Sequence, residues 1–378
     1  MYADAWLVTQ DSHTGAGRLT IDLGAVVANW RAVAARQPGA ETGAVVKADA
    51  YGLGARRVAR ALAAAGCRSF FVAQLGEAVE LRRALPPEAR LFVLNGLVPG
   101  AEALAVETGA VPVLNSLPQV ARYAAEARRR DRRLPAALQV DSGMSRLGLS
   151  PAEVDTLAAD PTMLDGVEVV LVMSHLACAD EPANPANAAQ HAAFVALADR
   201  LPAAPRALAN SAGSAFAGFG HEVTRPGLAL YGVEPTGRTD AGLRPVVTLE
   251  APVVQLRTVA AGTGVGYGLS HVTSAETRLA TIGVGYADGW PRHLGGRGAV
   301  WFDGVRLPIV GRVSMDSLTV DVSALPEGAL AEGAMVELVG PHQSLQDVAD
   351  AADTIAWEIL TRLGARYERR YLEAGPAA

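Results

Sequence analysis

From about Leu19 to about Leu230, short β-branched and aliphatic runs alternate with Ala-rich stretches of helical character. The runs are AVVKA, FFVA, LFVLN, VPVLN, ALQVD, VVLVMSH and RALAN; between them lie helix candidates such as Ala55 to Ala65, Ala101 to Val106 and Leu117 to Arg129. Strands that are apolar along their whole length are buried on both faces, and strands separated by helices pair in parallel. Roughly eight such units over about 220 residues suit a (β/α)8 barrel of the TIM type better than an open sheet. The polar residues agree. Lys47, Gln74, Asn95, Asn115, Asp141, His175, Asn210 and Arg225 stand where the apolar runs end. In a barrel, the C-terminal strand ends converge on one mouth, where active sites are built. A doubly wound sheet would gather such residues at a single switch point, and no GxGxxG follows an early strand.

After about Arg244 the texture changes. PVVTLEAPVVQLRTV, RLATIGVGYA, AVWFDG, VRLPIVG and AMVELVG are Val-rich runs broken by Gly, Pro and Asp. They indicate a mostly antiparallel β domain that ends in one helical segment around Thr354 to Leu363. The expected division is about 14–243 for the barrel and about 244–378 for the β domain, an α/β plus β architecture.

Half of the 378 residues are hydrophobic and the net charge is −6, so a large core is available and no basic field is present. Arg128, Arg129 and Arg130 read as a solvated helix face rather than a nucleic-acid patch. Two cysteines, Cys67 and Cys178, suggest neither a disulfide framework nor a metal cluster and fit a reducing compartment. The first residues lack a basic segment followed by an apolar core, and no apolar run approaches the roughly 20 residues of a membrane span. The expectation is a soluble cytoplasmic protein acting on a small molecule, with no metal, nucleic acid or membrane partner.

The segment AVVKADAYGLG, Ala44 to Gly54, carries the sharpest chemical signal. An ammonium is costly to desolvate, so a lysine closing a buried run is unusual. Burial lowers its pKa and leaves a nucleophilic amine, which an aldehyde cofactor needs for a Schiff base. Tyr51, Gly52 and Gly54 offer a hydroxyl and a close-approach backbone for a phosphate. From spacing alone, a lysine that snorkels into solvent is the more common reading of the same residues.

The wider series decides between them. AVVKADAYGLG resembles the cofactor-lysine motif of alanine racemases, and the resemblance continues through IDLGAVVANW, VDSGMSRLG, SHLACADE, ANSAG, TRPGLALYGVEP, GVGYGLS, IGVGYADGW and GRVSMDSLTV. It implies a pyridoxal-5′-phosphate enzyme that interconverts L- and D-alanine, built as a homodimer with shared active sites. Lys47 and Tyr267 would be its two bases, because racemisation needs proton carriers on opposite faces of a planar carbon. Tyr267 would come from the partner subunit, with Met315 and Asp316 beside it. Arg225 would face the pyridine nitrogen, since a guanidinium donates a hydrogen bond without protonating the ring. His175 would link Tyr267 to Arg225. Arg146 would meet the cofactor's phenolic oxygen and the substrate carboxylate. Tyr51, Ser211, Gly227 and Leu228 would hold the phosphate, with Asn210 beside them. Tyr286 would line the substrate entrance.

Three positions depart from the family pattern. Gln139 stands where many members have a carbamylated lysine, and its amide, with a bound chloride, is expected to brace Arg146. Trp357 replaces a tyrosine beside the phosphate; its indole donates but cannot accept, and its bulk favours alanine over serine. Ser314 replaces a cysteine, with no mechanistic consequence drawn. A decarboxylase of basic amino acids shares the architecture, but Arg225 and the lack of cysteine after Cys178 argue against it. A non-catalytic pyridoxal-phosphate carrier would resemble the barrel alone, and a broader-specificity racemase is the remaining alternative. Whether the role is wall synthesis or alanine breakdown is left open.

Overall fold

The computed structural model describes residues 17–237 and 242–373. They divide into two compact units: one spans Asp22–Val246, and the other holds Val247–Leu372 with most of strand β1 (Arg18–Asp22). The expected start of the barrel at about residue 14 lies outside the described residues.

In the first unit, β2 (Glu41–Thr42) and β3 (Ala44–Val45) are one strand position interrupted at Gly43. A Cβ on Gly43 would sit 2.7 Å from the Phe71 ring and 3.0 Å from the Ser69 carbonyl, so the neighbouring strand approaches too closely for any side chain. Strands β4 (Ser69–Val72), β5 (Arg90–Val93), β6 (Val111–Leu114), β7 (Leu134–Gln139), β8 (Val167–Met173) and β9 (Arg206–Ala207) follow β3 in order, each parallel to the last. β10 (Val223–Thr224) pairs in parallel with β2. Gly43 N donates to Thr224 O and Val45 N to Pro226 O, both at 2.9 Å; on the other side Arg225 N donates to Ala209 O at 2.9 Å. The last strand position therefore joins the first, and the parallel sheet closes into the expected eight-position barrel.

Alternate residues of each strand serve two different cores. Val45, Phe71, Phe92, Val113, Ala137, Leu171, Met173, Ala207 and Val223 fill the barrel interior, with Phe71 and Phe92 stacked at 4.8 Å. Leu114, Leu138, Val172 and Leu208 point the other way and pack with Val120, Val154 and Phe194 of the surrounding helices. Both parities are buried, so the runs read as continuous rather than alternating. Lys47, Gln74, Asn95, Asn115, Asp141, His175, Asn210 and Arg225 all follow the C-terminal ends of these strands, which places them at one mouth.

The second unit is built on one long strand, β11 (Val247–Val259). The others are β12 (Gly264–Val265), β13 (His271–Val272), β14 (Thr277–Ile282), β15 (Ala299–Phe302), β16 (Val305–Pro308), β17 (Leu318–Asp321), β18 (Met335–Val339) and β19 (Glu368–Leu372). The main sheet runs β16-β15-β18-β11-β1-β19, with β14 added on β11 and β17 on β14. β11 is antiparallel to β1, β14 and β18, and β14–β17 and β15–β16 are antiparallel too. Register shifts at Leu249/Glu250 and Val253/Gln255 bracket Pro252 and let the two halves of β11 serve different partners. β1 belongs to this sheet, although the sequence reading ran it into the barrel. The helix Ala356–Arg362 stands where the segment around Thr354 to Leu363 was expected, and a further helix, Leu345–Ala351, precedes it.

The interior of the barrel tests the packing directly. Phe92→Ala removes one of two stacked rings from a closed layer and is expected to cost about 3–5 kcal/mol, read as a lower urea midpoint of the barrel unit.

Candidate active site

Val46 N still pairs with Phe71 O at 2.9 Å, and Lys47 is the next residue. Beyond it the chain does something that few sequences do. Ala48, Asp49, Ala50 and Tyr51 have φ between 52° and 56° and ψ between 38° and 52°, forming one left-handed helical turn. For L residues this conformation is disfavoured by about 1–2 kcal/mol each, so it persists only where its surroundings hold it. Ala50 N donates to Val46 O and Gly54 N to Asp49 O, both at 2.9 Å. Asp49 Oδ1 accepts Ala55 N at 2.7 Å, and Glu77 Oε1 accepts Ala48 N at 2.5 Å.

The turn leaves Lys47 half-buried and sends Tyr51 back toward the closing seam of the barrel. The Tyr51 ring lies 4.7 Å from that of Tyr231, whose hydroxyl donates to Val45 O at 2.9 Å. A Cβ on Gly227 would be 2.5 Å from Tyr51 Oη, so glycine is what allows the two segments to meet. Ser211 completes the corner: its buried Oγ accepts Gly227 N at 2.9 Å and Ala229 N at 3.1 Å, with Leu228 between them. Asn210 Oδ1 accepts Gly213 N at 2.8 Å and so shapes the loop that presents Ser211.

Electrostatics make the mouth distinctive. Burial, and then Arg146, push the Lys47 amine below its ordinary value, while Glu77 pulls the other way. Burial pushes His175 down to about 3, with Arg225, Arg146 and Lys47 adding to it, so its imidazole is neutral at neutral pH. Arg225 is buried, and desolvation lowers it to about 10, which still leaves it charged. Its Nη2 donates to Ser174 O at 2.5 Å and to Leu208 O at 3.5 Å, while its buried Nη1 has no partner. An unpartnered buried guanidinium N–H is costly unless an acceptor belongs beside it.

These residues fit the group implied by the resemblance. Pyridoxal phosphate brings an aldehyde, a pyridine nitrogen and a phosphate. The barrel offers an amine of lowered basicity, an unpaired guanidinium donor, and a corner of hydroxyls and backbone N–H groups around Gly227. A cluster of Lys47, Arg146 and Arg225 around a neutral imidazole is the field a multiply charged anion would balance.

Arg146 is exposed at the rim of a cleft of about 520 Å³ that Asn115, Asp141 and Glu153 also line. Its loop is tied by Asp141, whose carboxylate accepts N–H groups from Gly143, Met144 and Ser145 at 2.9–3.1 Å. Burial works to raise Asp141, but those donors outweigh it and hold the carboxyl below its ordinary value. Gln139 is buried, and no hydrogen bond joins it to Arg146. The expected brace by the Gln139 amide is therefore not made by direct contact.

Tyr267, Tyr286, Met315, Asp316 and Trp357 all belong to the second unit. Tyr286 N donates to Ser314 O at 3.1 Å and Ala287 N to Met315 O at 2.9 Å, so two of the expected substrate-contact loops are fused. A bracket that sequence reasoning missed locks them. Arg366 donates to both Asp288 oxygens at 2.7 and 2.8 Å and to Asp316 Oδ1 at 2.7 Å. Tyr267 lies between β12 and β13, on a loop where a Cβ at Gly268 would be 3.1 Å from Arg312. Tyr267 is 70% exposed, Met315 53% and Tyr286 42%, unusual values for large apolar side chains. Trp357 is half-buried on the helix Ala356–Arg362.

Comparison with known proteins agrees with this arrangement along the chain. A model of the alanine racemase N-terminal domain matches residues 21–235, and one of the alanine racemase C-terminal domain matches 246–371. A protein of Agrobacterium fabrum named "Alanine racemase, catabolic" is 52% identical over 375 residues, covering 98% of this chain and 96% of that protein. The alanine racemase of Brucella canis is 53% identical over 371 residues, covering 94% and 93%. Among solved structures, alanine racemase from Bartonella henselae, crystallised with covalently bound pyridoxal phosphate, superposes with a TM-score of 0.92 at 44% identity, covering 94% of this chain and 99% of that one. A barrel whose mouth carries an activated lysine, followed by a sheet domain with the matching motifs, belongs to the alanine racemase family.

Proposed function

We propose that this protein interconverts L-alanine and D-alanine with pyridoxal phosphate held at Lys47, and that it does so as a homodimer in the cytoplasm. The observation that carries the reading is the mouth of the barrel, where the lowered Lys47 amine and the unpaired Arg225 Nη1 share one cationic cluster. When bound, pyridoxal phosphate supplies an electron sink that acidifies the Cα–H of an attached amino acid.

The remaining tasks fall to side chains. Lys47 Nζ, unprotonated near neutral pH more often than an ordinary lysine, takes or returns the proton on the face that gives D-alanine. Tyr267 Oη of a second copy serves the opposite face; its 70% exposure within one chain is consistent with a group that completes a site elsewhere. Arg225, charged and with Nη1 free, would donate to the pyridine nitrogen without surrendering a proton. Ser211, Tyr51 and the backbone of Gly227 and Leu228 would hold the phosphate. Arg146 meets the substrate carboxylate, and Tyr286, Met315 and Asp316, locked by Arg366, shape the approach. Trp357 is assigned to the wall of the same small pocket, which favours alanine over serine.

Among the described residues, no helix is long and apolar enough to cross a membrane. The Agrobacterium relative is named a catabolic enzyme, while a Pseudomonas aeruginosa structure with a TM-score of 0.87 at 38% identity is named biosynthetic.

Three outcomes test the proposal. Lys47→Ala abolishes both the visible absorbance of lysine-bound cofactor and racemisation, measured by spectrophotometry and a coupled D-alanine assay. Tyr267→Phe keeps that absorbance but slows racemisation by about 10²–10⁴-fold, the usual loss on removing a general acid or base. The third concerns pH. His175 is held down to about 3 against an ordinary 6.5. The unfolded chain therefore takes up a proton that the folded chain refuses, and stability falls as pH drops between those values. Urea midpoints of the cofactor-free chain decline over this range, and His175→Gln flattens the decline.

A further inference from the structure

The strain in the turn after Lys47 has to be opposed by something outside it, and one side chain reaches it from another loop. Glu77 lies near the start of the helix Leu75–Arg82, after the C-terminal end of β4. Its Oε2 accepts Ala73 N at 2.7 Å and Gln74 N at 2.9 Å, both on its own loop. Its Oε1 crosses to the neighbouring strand end and accepts Ala48 N at 2.5 Å, the first N–H of the left-handed turn. We propose that Glu77 is a positioning residue for the cofactor lysine, clamping the strained Ala48–Tyr51 turn so that Lys47 and Tyr51 are both aimed into the mouth.

A helix cap would need only the two contacts on its own loop. The third contact does nothing for the helix. It bridges two adjacent strand ends at the one place, among the described residues, where four consecutive L residues hold a disfavoured conformation. A charged acceptor is suited to this, because N–H···carboxylate bonds are about twice as strong as neutral ones. Glu77 is also the anion opposed to Arg146 at Lys47, and Arg225 and the neutral His175 are further groups of that mouth. The clamp thus has two separable effects, one on geometry and one on the lysine's charge.

The inference rests on Lys47 being the cofactor lysine, and the experiment separates the two claims. Full-length wild type, Glu77→Gln and Glu77→Asp are loaded with pyridoxal phosphate, and visible circular dichroism, cofactor retention and the pH dependence of cofactor capture by the stripped chain are measured. Glutamine keeps one carbonyl acceptor but turns an NH2 group toward an N–H donor. Aspartate keeps the charge but is one methylene too short to bridge both loops. Both variants are expected to lose at least half of the visible dichroism and to hold the cofactor about tenfold less tightly. Only Glu77→Gln moves the capture midpoint to lower pH, because only it removes the anion that supports the protonated lysine; a helix cap alone would leave that midpoint unmoved. Should Glu77→Gln fail to fold, the dichroism and retention of Glu77→Asp decide the geometric claim. Variants that melt like the wild type, with unchanged dichroism, retention and capture midpoint, overturn the proposal. A wild type whose visible band survives Lys47→Ala overturns the Lys47 reading instead.

Discussion

Three backbone hydrogen bonds, Glu41 N to Glu222 O, Gly43 N to Thr224 O and Val45 N to Pro226 O, join the first and last strand positions of the barrel. Lys47 lies just after one side of this seam and Arg225 and Gly227 on the other, so residues from opposite ends of the barrel sequence become neighbours only when the sheet closes. The seam is tight by composition. Gly43 yields to Phe71, and Gly227 yields to Tyr51, so in both places the missing Cβ is what lets the segments approach. A slip of one residue would exchange the interior and exterior parities of these strands and send Lys47 out of the mouth.

Closure has an electrostatic cost. It brings Lys47, Arg146 and Arg225 around one imidazole and leaves a buried guanidinium N–H without an acceptor. Such an arrangement lowers the stability of the cofactor-free protein, because like charges repel and desolvated donors go unanswered. The same features make it receptive. An anionic ligand relieves the repulsion and supplies the acceptor, so binding and stability are coupled through groups that are awkward without it.

Much of this was legible in the sequence, and the reasons are specific. Continuous apolar runs identified strands buried on both faces, and the helix Leu117–Arg129 has the bounds its pattern indicated. Lys47, Arg225 and His175 were visible as polar residues closing such runs. Other features left no trace of their own. β1 looks like any first strand of a barrel, and its pairing with β11 depends on a partner more than 200 residues away. Ala48, Ala50 and Tyr51 are not residues that announce a left-handed turn, so tertiary contacts impose it. Glu77 and Arg366 read as ordinary surface charges until their hydrogen bonds are seen. The helix Leu345–Ala351 did carry a signal: Ser344 and Asp347 form a capping box, and the sequence reading passed over it. For Gln139, the expected brace of Arg146 involved a bound chloride as well as the amide, and the buried amide makes no direct hydrogen bond to Arg146.

The division of labour between the units follows from what each architecture can hold. A closed barrel can bury Arg225 and keep it charged, because strand-end carbonyls of Ser174 and Leu208 satisfy part of it while the surrounding sheet excludes water. An antiparallel sheet with one wet face cannot do that, but it can carry exposed loops locked by surface ion pairs. Tyr286 and Met315 sit on such loops, joined by backbone bonds and tied through Asp288, Arg366 and Asp316. Holding a fixed charge in a dry site suits the barrel. Presenting rigid groups outward, where another surface can meet them, suits the sheet. The proposed reaction, with its desolvated amine and its accessible phenol, is therefore well served by a chain that joins the two.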